Sequence, residues 1–183
     1  MAAFLRFIMS EWWGHYRKNR LLQRRFPSIR LWHNVQIIGP PDNLKLGQAV
    51  EIQSNVVLHL GGQEWCRFSG SLQISDNACL SPNVVIYAAG PGGVRIGKNF
   101  DCGPGVGIFS SRTDIEQAGA HVFAPVVIGD NVTLFANVVV SPGVRIGNNV
   151  VVAANSVVTR DLPDNCFAGG APARIIRQGI RNT

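Results

Sequence analysis

The stretch that decides the fold runs from Pro125 to Pro163 and reads PVVIGDNVTLFANVVVSPGVRIGNNVVVAANSVVTRDLP. An aliphatic residue returns at every sixth position from Ile128, and a second inward candidate follows each of these by four positions. The first set is Ile128, Leu134, Val140, Ile146, Val152 and Val158, and the second is Val132, Val138, Val144, Val150, Ser156 and Leu162. A period of six fits neither a helix nor an alternating strand, so the pattern indicates a repeat architecture.

The same six-residue period continues upstream with interruptions, and it predicts five rungs of three faces. The earlier inward positions are Leu46, Ile52, Leu58, Ile74, Leu80, Ile86, Ile96, Cys102 and Ile108. The fourth position of the repeat is Asn or Gly in eleven of the fifteen units, namely Asn55, Gly61, Asn77, Asn83, Asn99, Gly105, Asn131, Asn137, Gly143, Asn149 and Asn155. These residues tolerate the left-handed backbone of a sharp corner. We therefore expect an all-β triangular prism of short parallel strands.

Three insertions interrupt the period, and each of them follows the third face of a rung. The unit after Leu58 begins ten residues late, the unit after Ile86 four residues late, and the unit after Ile108 fourteen residues late. All three loops should therefore leave the same edge of the prism. Loops on one edge of a rigid repeat are a usual place for binding and catalysis.

The positive charge of the chain belongs to its N-terminal segment. Residues 1–30 carry seven basic residues and one acid, whereas the remaining 153 residues carry ten of each sign. Within residues 1–26, Phe4, Ile8, Trp12 and Tyr16 share one face of a predicted helix. That helix could cover the open first rung, or it could lie on an anionic membrane surface. No nucleic-acid-binding module is recognisable in it.

The cysteines and the hydropathy favour a reducing compartment. The four cysteines have neither CxxC spacing nor neighbouring histidines, so we expect no metal site and no disulfide framework. Neither a secretory signal nor a membrane span is recognised. The expected location is the cytoplasm, with contact to the cytoplasmic face of a membrane through residues 1–30 as an option.

The repeat, the long loop before Pro125 and the closing segment VVTRDLPDNCFAGGAPARIIR (157–177) resemble the hexapeptide-repeat acyltransferases. The nearest group is the maltose, galactoside and capsular-sugar O-acetyltransferases. The resemblance covers roughly residues 46–178, and it implies a left-handed parallel β-helix, a homotrimer, and acetyl-CoA bound between neighbouring prisms. The expected organisation is an N-terminal helical segment at 1–33, the β-helix at 34–165 with a loop at 112–125, and a C-terminal segment at 166–183 containing a short helix.

The same resemblance implies a set of residues that bind acetyl-CoA. A pantetheine arm needs a narrow slot lined by small side chains, with cations near its phosphates. Ala136 and Ala154 match the small residues that line the slot in the family. Thr159 and Arg160 match its Thr-Lys pair, and Arg174 and Arg177 match the basic residues of its closing Pro-Ala-Arg segment.

The same resemblance places Thr113 at the position of the family's catalytic histidine, and threonine cannot serve as a base. The family uses that imidazole as general base toward the acceptor, because histidine titrates near neutrality. Three explanations remain open: His121 of the same loop replaces it; Asp114 or Glu116 acts as the base or a carboxylate of the acceptor assists; or the protein binds CoA or a partner without turnover. His59, beside the first insertion, is expected to be a surface residue.

The predicted function is therefore CoA-dependent transfer of an acetyl group to a hydroxyl, or less readily an amine, of a sugar in surface-polysaccharide biosynthesis. The acceptor would attack the thioester directly, without an acyl-enzyme. The alternative is a non-catalytic trimeric β-helix that binds or scaffolds. A carbonic anhydrase on this prism would need three converging histidines, and the repeat region contains only His59 and His121.

Overall fold

The chain folds into a prism with three parallel sheets around one apolar interior. The structure, a computed structural model, describes residues 22–63 and 66–180. The predicted helix over residues 1–26 lies largely outside the described residues, and residues 22–25 are helical. The predicted parallel prism is confirmed by three sheets of eight, six and five strands.

Successive turns of the chain add strands to the three sheets in order. Sheet A contains β1 (Arg30–Leu31), β4 (Glu51–Ile52), β9 (Cys79–Leu80), β12 (Asp101–Cys102), β17 (Thr133–Leu134), β20 (Val151–Val152), β22 (Cys166–Gly170) and β23 (Ala173–Gln178). Sheet B contains β2 (Gln36–Ile38), β5 (Val57–His59), β10 (Val85–Tyr87), β13 (Gly107–Phe109), β18 (Val139–Val140) and β21 (Val157–Val158). Sheet C contains β3 (Leu44–Leu46), β8 (Leu72–Ile74), β11 (Val94–Ile96), β16 (Val126–Ile128) and β19 (Arg145–Ile146).

Parallel pairing stacks the inward residues of successive turns into columns. Ile52, Leu80, Cys102, Leu134 and Val152 are in register along sheet A, and all of them are buried. Burial raises the pKa of the Cys102 thiol, which therefore packs as a small apolar group. Ser156 is also buried as predicted, and its hydroxyl accepts a hydrogen bond from the Gly170 N–H at 3.0 Å.

The corners have the backbone conformation that the sequence predicts. All eleven predicted Asn and Gly corners have positive φ, between +54° at Asn99 and +82° at Gly143. The asparagine side chains also join successive turns. One ladder of amide hydrogen bonds runs through Asn77, Asn99, Asn131, Asn149 and Asn165.

The three insertions leave from one edge, between sheets B and C, as predicted. The first forms the hairpin β6 (Gly61–Gln63) and β7 (Cys66–Ser69), and the second is a short loop at 88–93. The third contains the antiparallel hairpin β14 (Ser111–Thr113) and β15 (His121–Phe123).

Two strands precede the five rungs that the sequence predicts. Strands β1 and β2 come before β3, which contains the first predicted inward residue, Leu46, so sheet A begins at Arg30, inside the segment predicted as N-terminal helix. The period was missed there because a 3-10 helix at Pro41–Asn43 lengthens the interval between Ile37 and Leu46 to nine residues.

The predicted short C-terminal helix is wrong, because residues 166–178 form an antiparallel hairpin. Strand β22 continues sheet A beside β20, and β23 folds back onto β22. The open edge of sheet A provides the hydrogen-bonding partners that fix this segment as strand. Sheet A therefore continues beyond residue 165, the predicted end of the β-helix.

Candidate active site

The hairpin β14–β15 brings His121 next to the position where the resemblance expects a catalytic histidine. The two strands pair Ser111 with Phe123 and Thr113 with His121. Residues directly opposite in an antiparallel pair project to the same face, with Cβ atoms about 4.5–5.5 Å apart. The imidazole is thus displaced from the Thr113 position by about one strand spacing, onto the same face of the hairpin.

Asp114 lies at the start of the turn that closes this hairpin. Its N–H donates to the Ala120 carbonyl at 2.9 Å, and its Oδ1 accepts the Glu116 N–H at 2.9 Å. The carboxylate therefore stabilises an Asx-type turn. Glu116 itself is exposed, next to Ile115, which is 89% exposed.

His59 is buried, so the expectation of a surface histidine is wrong. Its ring stacks on Tyr87 with centroids 4.7 Å apart and planes 11° from parallel. Burial lowers the pKa of His59, with an opposing effect from a backbone hydrogen bond. The Gly61 N–H donates to Nδ1 at 3.1 Å, which identifies Nδ1 as an acceptor and places the proton of the neutral ring on Nε2.

His59, Tyr87 and Phe109 form a cross-strand row on sheet B that leads toward the hairpin. They are in register on β5, β10 and β13, and the Tyr87 and Phe109 rings are 5.7 Å apart. Sequence reasoning did not identify this row. The signal was present, since each ring follows an inward residue of the third face in three successive rungs.

Ala136 and Ala154 stack at the corner between sheets A and B. The Asn155 N–H donates to the Ala136 carbonyl at 2.9 Å, which links the two turns. A Cβ added at Gly103 would lie 2.7 Å from the Ala136 backbone nitrogen, so this corner depends on a residue without a side chain. Such a corner exposes backbone groups to a narrow ligand.

Arg174 approaches this same corner through the C-terminal hairpin. It pairs with Gly169, whose neighbour Gly170 is bonded to Ser156, two residues after Ala154. Arg177 pairs with Phe167 further along the hairpin and lines an apolar cavity with Phe135, Val151, Phe167, Ile176 and Ile180.

Thr159 and Arg160 lie on the opposite edge of sheet B from Ala136 and Ala154. They follow β21 at the corner from which the insertions leave. One chain therefore does not bring all six predicted CoA-binding residues together. Within residues 22–63 and 66–180, Arg160, Arg174 and Arg177 form no ion pair, so their charges are available to an anionic ligand.

Neither a metal centre nor a membrane span is found in the described part of the chain. No group of three or more His, Cys, Asp or Glu side chains there could hold a metal ion. Among the same residues, no helix has the length and apolar character needed to cross a bilayer.

The comparisons with known proteins agree with the prism. The sequence profile described as "Bacterial transferase hexapeptide (six repeats)" matches residues 125–160. A Saccharomyces cerevisiae protein that carries a provisional assignment as an acetyltransferase is 34% identical over 174 residues, covering 90% of this chain and 86% of the yeast protein. The galactoside O-acetyltransferase of Escherichia coli is 32% identical over 127 residues, covering 66% of this chain and 54% of that enzyme.

Solved structures show the same fold. AntD, an N-acyltransferase from Bacillus cereus, superposes with a TM-score of 0.72 at 17% identity, over 89% of this chain and 90% of that chain. A maltose O-acetyltransferase from Clostridium difficile is 26% identical with a TM-score of 0.56, over 89% of this chain and 75% of that chain. The fold is a left-handed parallel β-helix. The chain belongs to the hexapeptide-repeat acyltransferases.

Proposed function

We propose that this chain transfers an acetyl group from acetyl-CoA to a sugar hydroxyl, with His121 as the general base. The observation that carries the proposal is the pairing of Thr113 with His121 across β14 and β15. It supplies an imidazole on the face where the family's histidine is replaced by threonine.

The proposed reaction is a direct transfer. His121 takes the proton of the acceptor hydroxyl while the acceptor oxygen forms a bond to the acetyl carbonyl carbon. As the carbon–sulfur bond breaks, the imidazolium returns that proton to the sulfur of CoA. An imidazole suits both steps, because it exchanges a proton near neutral pH.

The carboxylates of the same loop are weaker candidates for the base. Asp114 is hydrogen-bonded to the Glu116 N–H, and it stabilises the turn that positions the hairpin. Carboxylates also ordinarily titrate near pH 4, so they accept a hydroxyl proton less readily than imidazole does.

A sugar acceptor is supported by the named substrates of the relatives. The Escherichia coli relative is a galactoside O-acetyltransferase, and the Clostridium difficile structure is a maltose O-acetyltransferase. The complexes with dTDP-4-amino-4,6-dideoxyglucose and GDP-perosamine belong to N-acyltransferase and perosamine N-acetyltransferase structures of 17% and 24% identity. We therefore favour a hydroxyl of a saccharide over an amine.

A homotrimer is supported by the outward residues of sheet B. In register, these are Val57, Val85, Gly107, Val139 and Val157, a row across five turns with no charged residue. Sheet C instead presents Lys45, Arg95 and Arg145 in the equivalent row, and sheet A presents Arg30, Glu51 and Asp101. A continuous apolar face is suited to contact with a second copy of the chain.

A neighbouring subunit would also complete the acetyl-CoA site. The Ala136–Ala154 corner and Arg174 lie at one edge of sheet B, and Thr159 and Arg160 lie at the other. If sheet B faces another copy, one subunit's alanine corner can lie beside the partner's Thr159–Arg160 corner. The slot and the cations then come from two chains.

Ligand-induced stabilisation tests the acetyl-CoA assignment. Acetyl-CoA at 100 times its Kd should stabilise the folded state by about 2.7 kcal/mol and raise the Tm accordingly. Arg160→Ala should reduce the shift, whereas Arg95→Ala, an exposed arginine on sheet C, should leave it unchanged. The absence of any shift at millimolar acetyl-CoA would rule out the assignment.

Thiol release across a panel of saccharides tests the base. His121→Ala should lower kcat by about 10²–10⁴-fold, the usual contribution of general base catalysis. Asp114→Asn keeps an oxygen that can accept the Glu116 N–H, so it should retain most of the activity. If Asp114→Asn is the inactive variant and His121→Ala is not, the carboxylate is the base. If wild type binds acetyl-CoA but acetylates no saccharide, the protein is a binding module.

A further inference from the structure

The second insertion, residues 88–93, is shaped to receive the hairpin that carries His121. Gly90 has φ of +79°, and a Cβ added there would lie 2.3 Å from Cδ1 of Phe123. The Phe123 ring therefore lies directly on the Gly90 backbone, a contact that any side chain at position 90 would prevent. Two residues on, a Cβ at Gly92 would lie 2.8 Å from Cβ of Pro125.

A buried hydroxyl connects the second insertion to the start of the hairpin. Ser110 is fully buried, and its Oγ lies 2.7 Å from the Ala89 carbonyl and 2.9 Å from the Tyr87 carbonyl. The Ala124 N–H donates to the Ser110 carbonyl at 2.9 Å, which closes the base of the hairpin. The receiving loop is thus held in place independently of Phe123.

Phe123 is also in contact with the imidazole. His121 and Phe123 are two residues apart on β15, so they project to the same face, and their ring centroids are 6.3 Å apart with planes tilted by 40°. One side of the Phe123 ring therefore contacts a fixed backbone and another approaches His121.

We propose that Phe123, seated on Gly90, is a positioning residue that orients His121 toward the acceptor hydroxyl. The inference depends on the proposed function, because it assigns the orientation of the base in that reaction. A hairpin of two three-residue strands has few contacts of its own. Without Phe123 the imidazole would lose the ring that lies beside it, and a misplacement of about 1 Å can cost about 10²-fold in rate.

A double-mutant cycle between positions 123 and 121 tests this role. Phe123→Ala should lower kcat by about 10- to 100-fold in the wild-type background. In the His121→Ala background the same substitution should change kcat by less than about two-fold, since no imidazole is left to orient. Phe123→Tyr keeps the ring and should restore kcat to within about three-fold of wild type.

Gly90→Ala tests the contact between Gly90 and Phe123 by changing the loop instead of the ring. The added methyl should displace Phe123 and lower kcat, and the loss should be smaller when Phe123 is already alanine. Gly62→Ala is the matched control, because Gly62 has the same φ of +79° and lies outside the hairpin that carries His121, with an added Cβ no closer than 3.2 Å to Cδ of Pro40. It measures the strain of that backbone conformation without the clash.

The outcomes separate the two proposals. Equal losses from Phe123→Ala with and without His121 would overturn the positioning role and leave the transferase function intact. Equal effects of Gly90→Ala and Gly62→Ala would overturn the role of the Gly90–Phe123 contact in the same way. If wild type releases no thiol with any saccharide, the proposed function fails first. Unchanged acetyl-CoA-induced Tm shifts in the variants would confirm that each is folded.

Discussion

Replacing Ala49 by asparagine should stabilise the prism. Ala49 has φ of +54°, and every other non-glycine residue with positive φ in the described part of the chain is an asparagine. It lies at the corner of Asn77, one turn earlier, because Glu51 and Cys79 are in register. The left-handed conformation costs an alanine about 1–2 kcal/mol, and asparagine tolerates it better.

The new side chain would also extend a ladder of hydrogen bonds. In that ladder each Nδ2 donates to the next Oδ1, beginning with Asn77 to Asn99 at 3.2 Å. An amide at position 49 could donate to Oδ1 of Asn77, which is worth about 0.5–1.5 kcal/mol. Together the two effects should raise the free energy of unfolding by about 1–2 kcal/mol.

Urea denaturation at fixed protein concentration measures the gain, since association would otherwise change apparent stability. The midpoint should rise with an unchanged m-value. Ala49→Gly relieves the backbone without adding an amide but increases the entropy of the unfolded chain, so Ala49→Asn should exceed it by the hydrogen bond plus that entropy cost. A midpoint for Ala49→Asn at or below that of wild type would refute the argument.

Three further substitutions test other parts of the structure. Ser156→Ala removes the acceptor of the Gly170 N–H and should cost about 1–3 kcal/mol in urea denaturation; no loss would mean that the bond is not formed. Burial lowers the pKa of His59, so below about pH 6.5 the unfolded chain binds more protons than the folded chain does. The free energy of unfolding should therefore decline as the pH falls through that range, and His59→Phe should flatten the decline. Burial and, secondarily, Asp101 raise the pKa of the Cys79 thiol, so Asp101→Asn should speed its alkylation at pH 8, measured by mass spectrometry; an unchanged rate would contradict this.

The sequence predicts the prism well because the conformation of each corner depends on the residue at that corner. Asn or Gly at the fourth repeat position satisfies a left-handed backbone, and the aliphatic residue of each unit has only one interior to enter. Strands β1 and β2 were missed for a local reason too, since the 3-10 helix at Pro41–Asn43 interrupts the six-residue period before Leu46.

The site could be predicted only as a range of residues. The loop at 112–125 was identified, but the pairing of Thr113 with His121 depends on hairpin register, which the residues of the loop do not encode in a recognisable way. The burial of His59 depends on stacking against Tyr87 of the next turn. The final strand β23 depends on the edge offered by β22 rather than on its own periodicity.

The C-terminal hairpin also forms the last edge of sheet A, where a further strand could add. A stack of parallel strands ends in unpaired backbone groups, to which another chain can add a strand. On sheet A that edge is occupied by β23, which runs against the direction of the stack and carries Arg174 and Arg177. An antiparallel, cationic last strand is a poor template for a further parallel turn. The segment that provides basic residues to the proposed co-substrate site therefore also disfavours the addition of a strand from another chain at this end of sheet A.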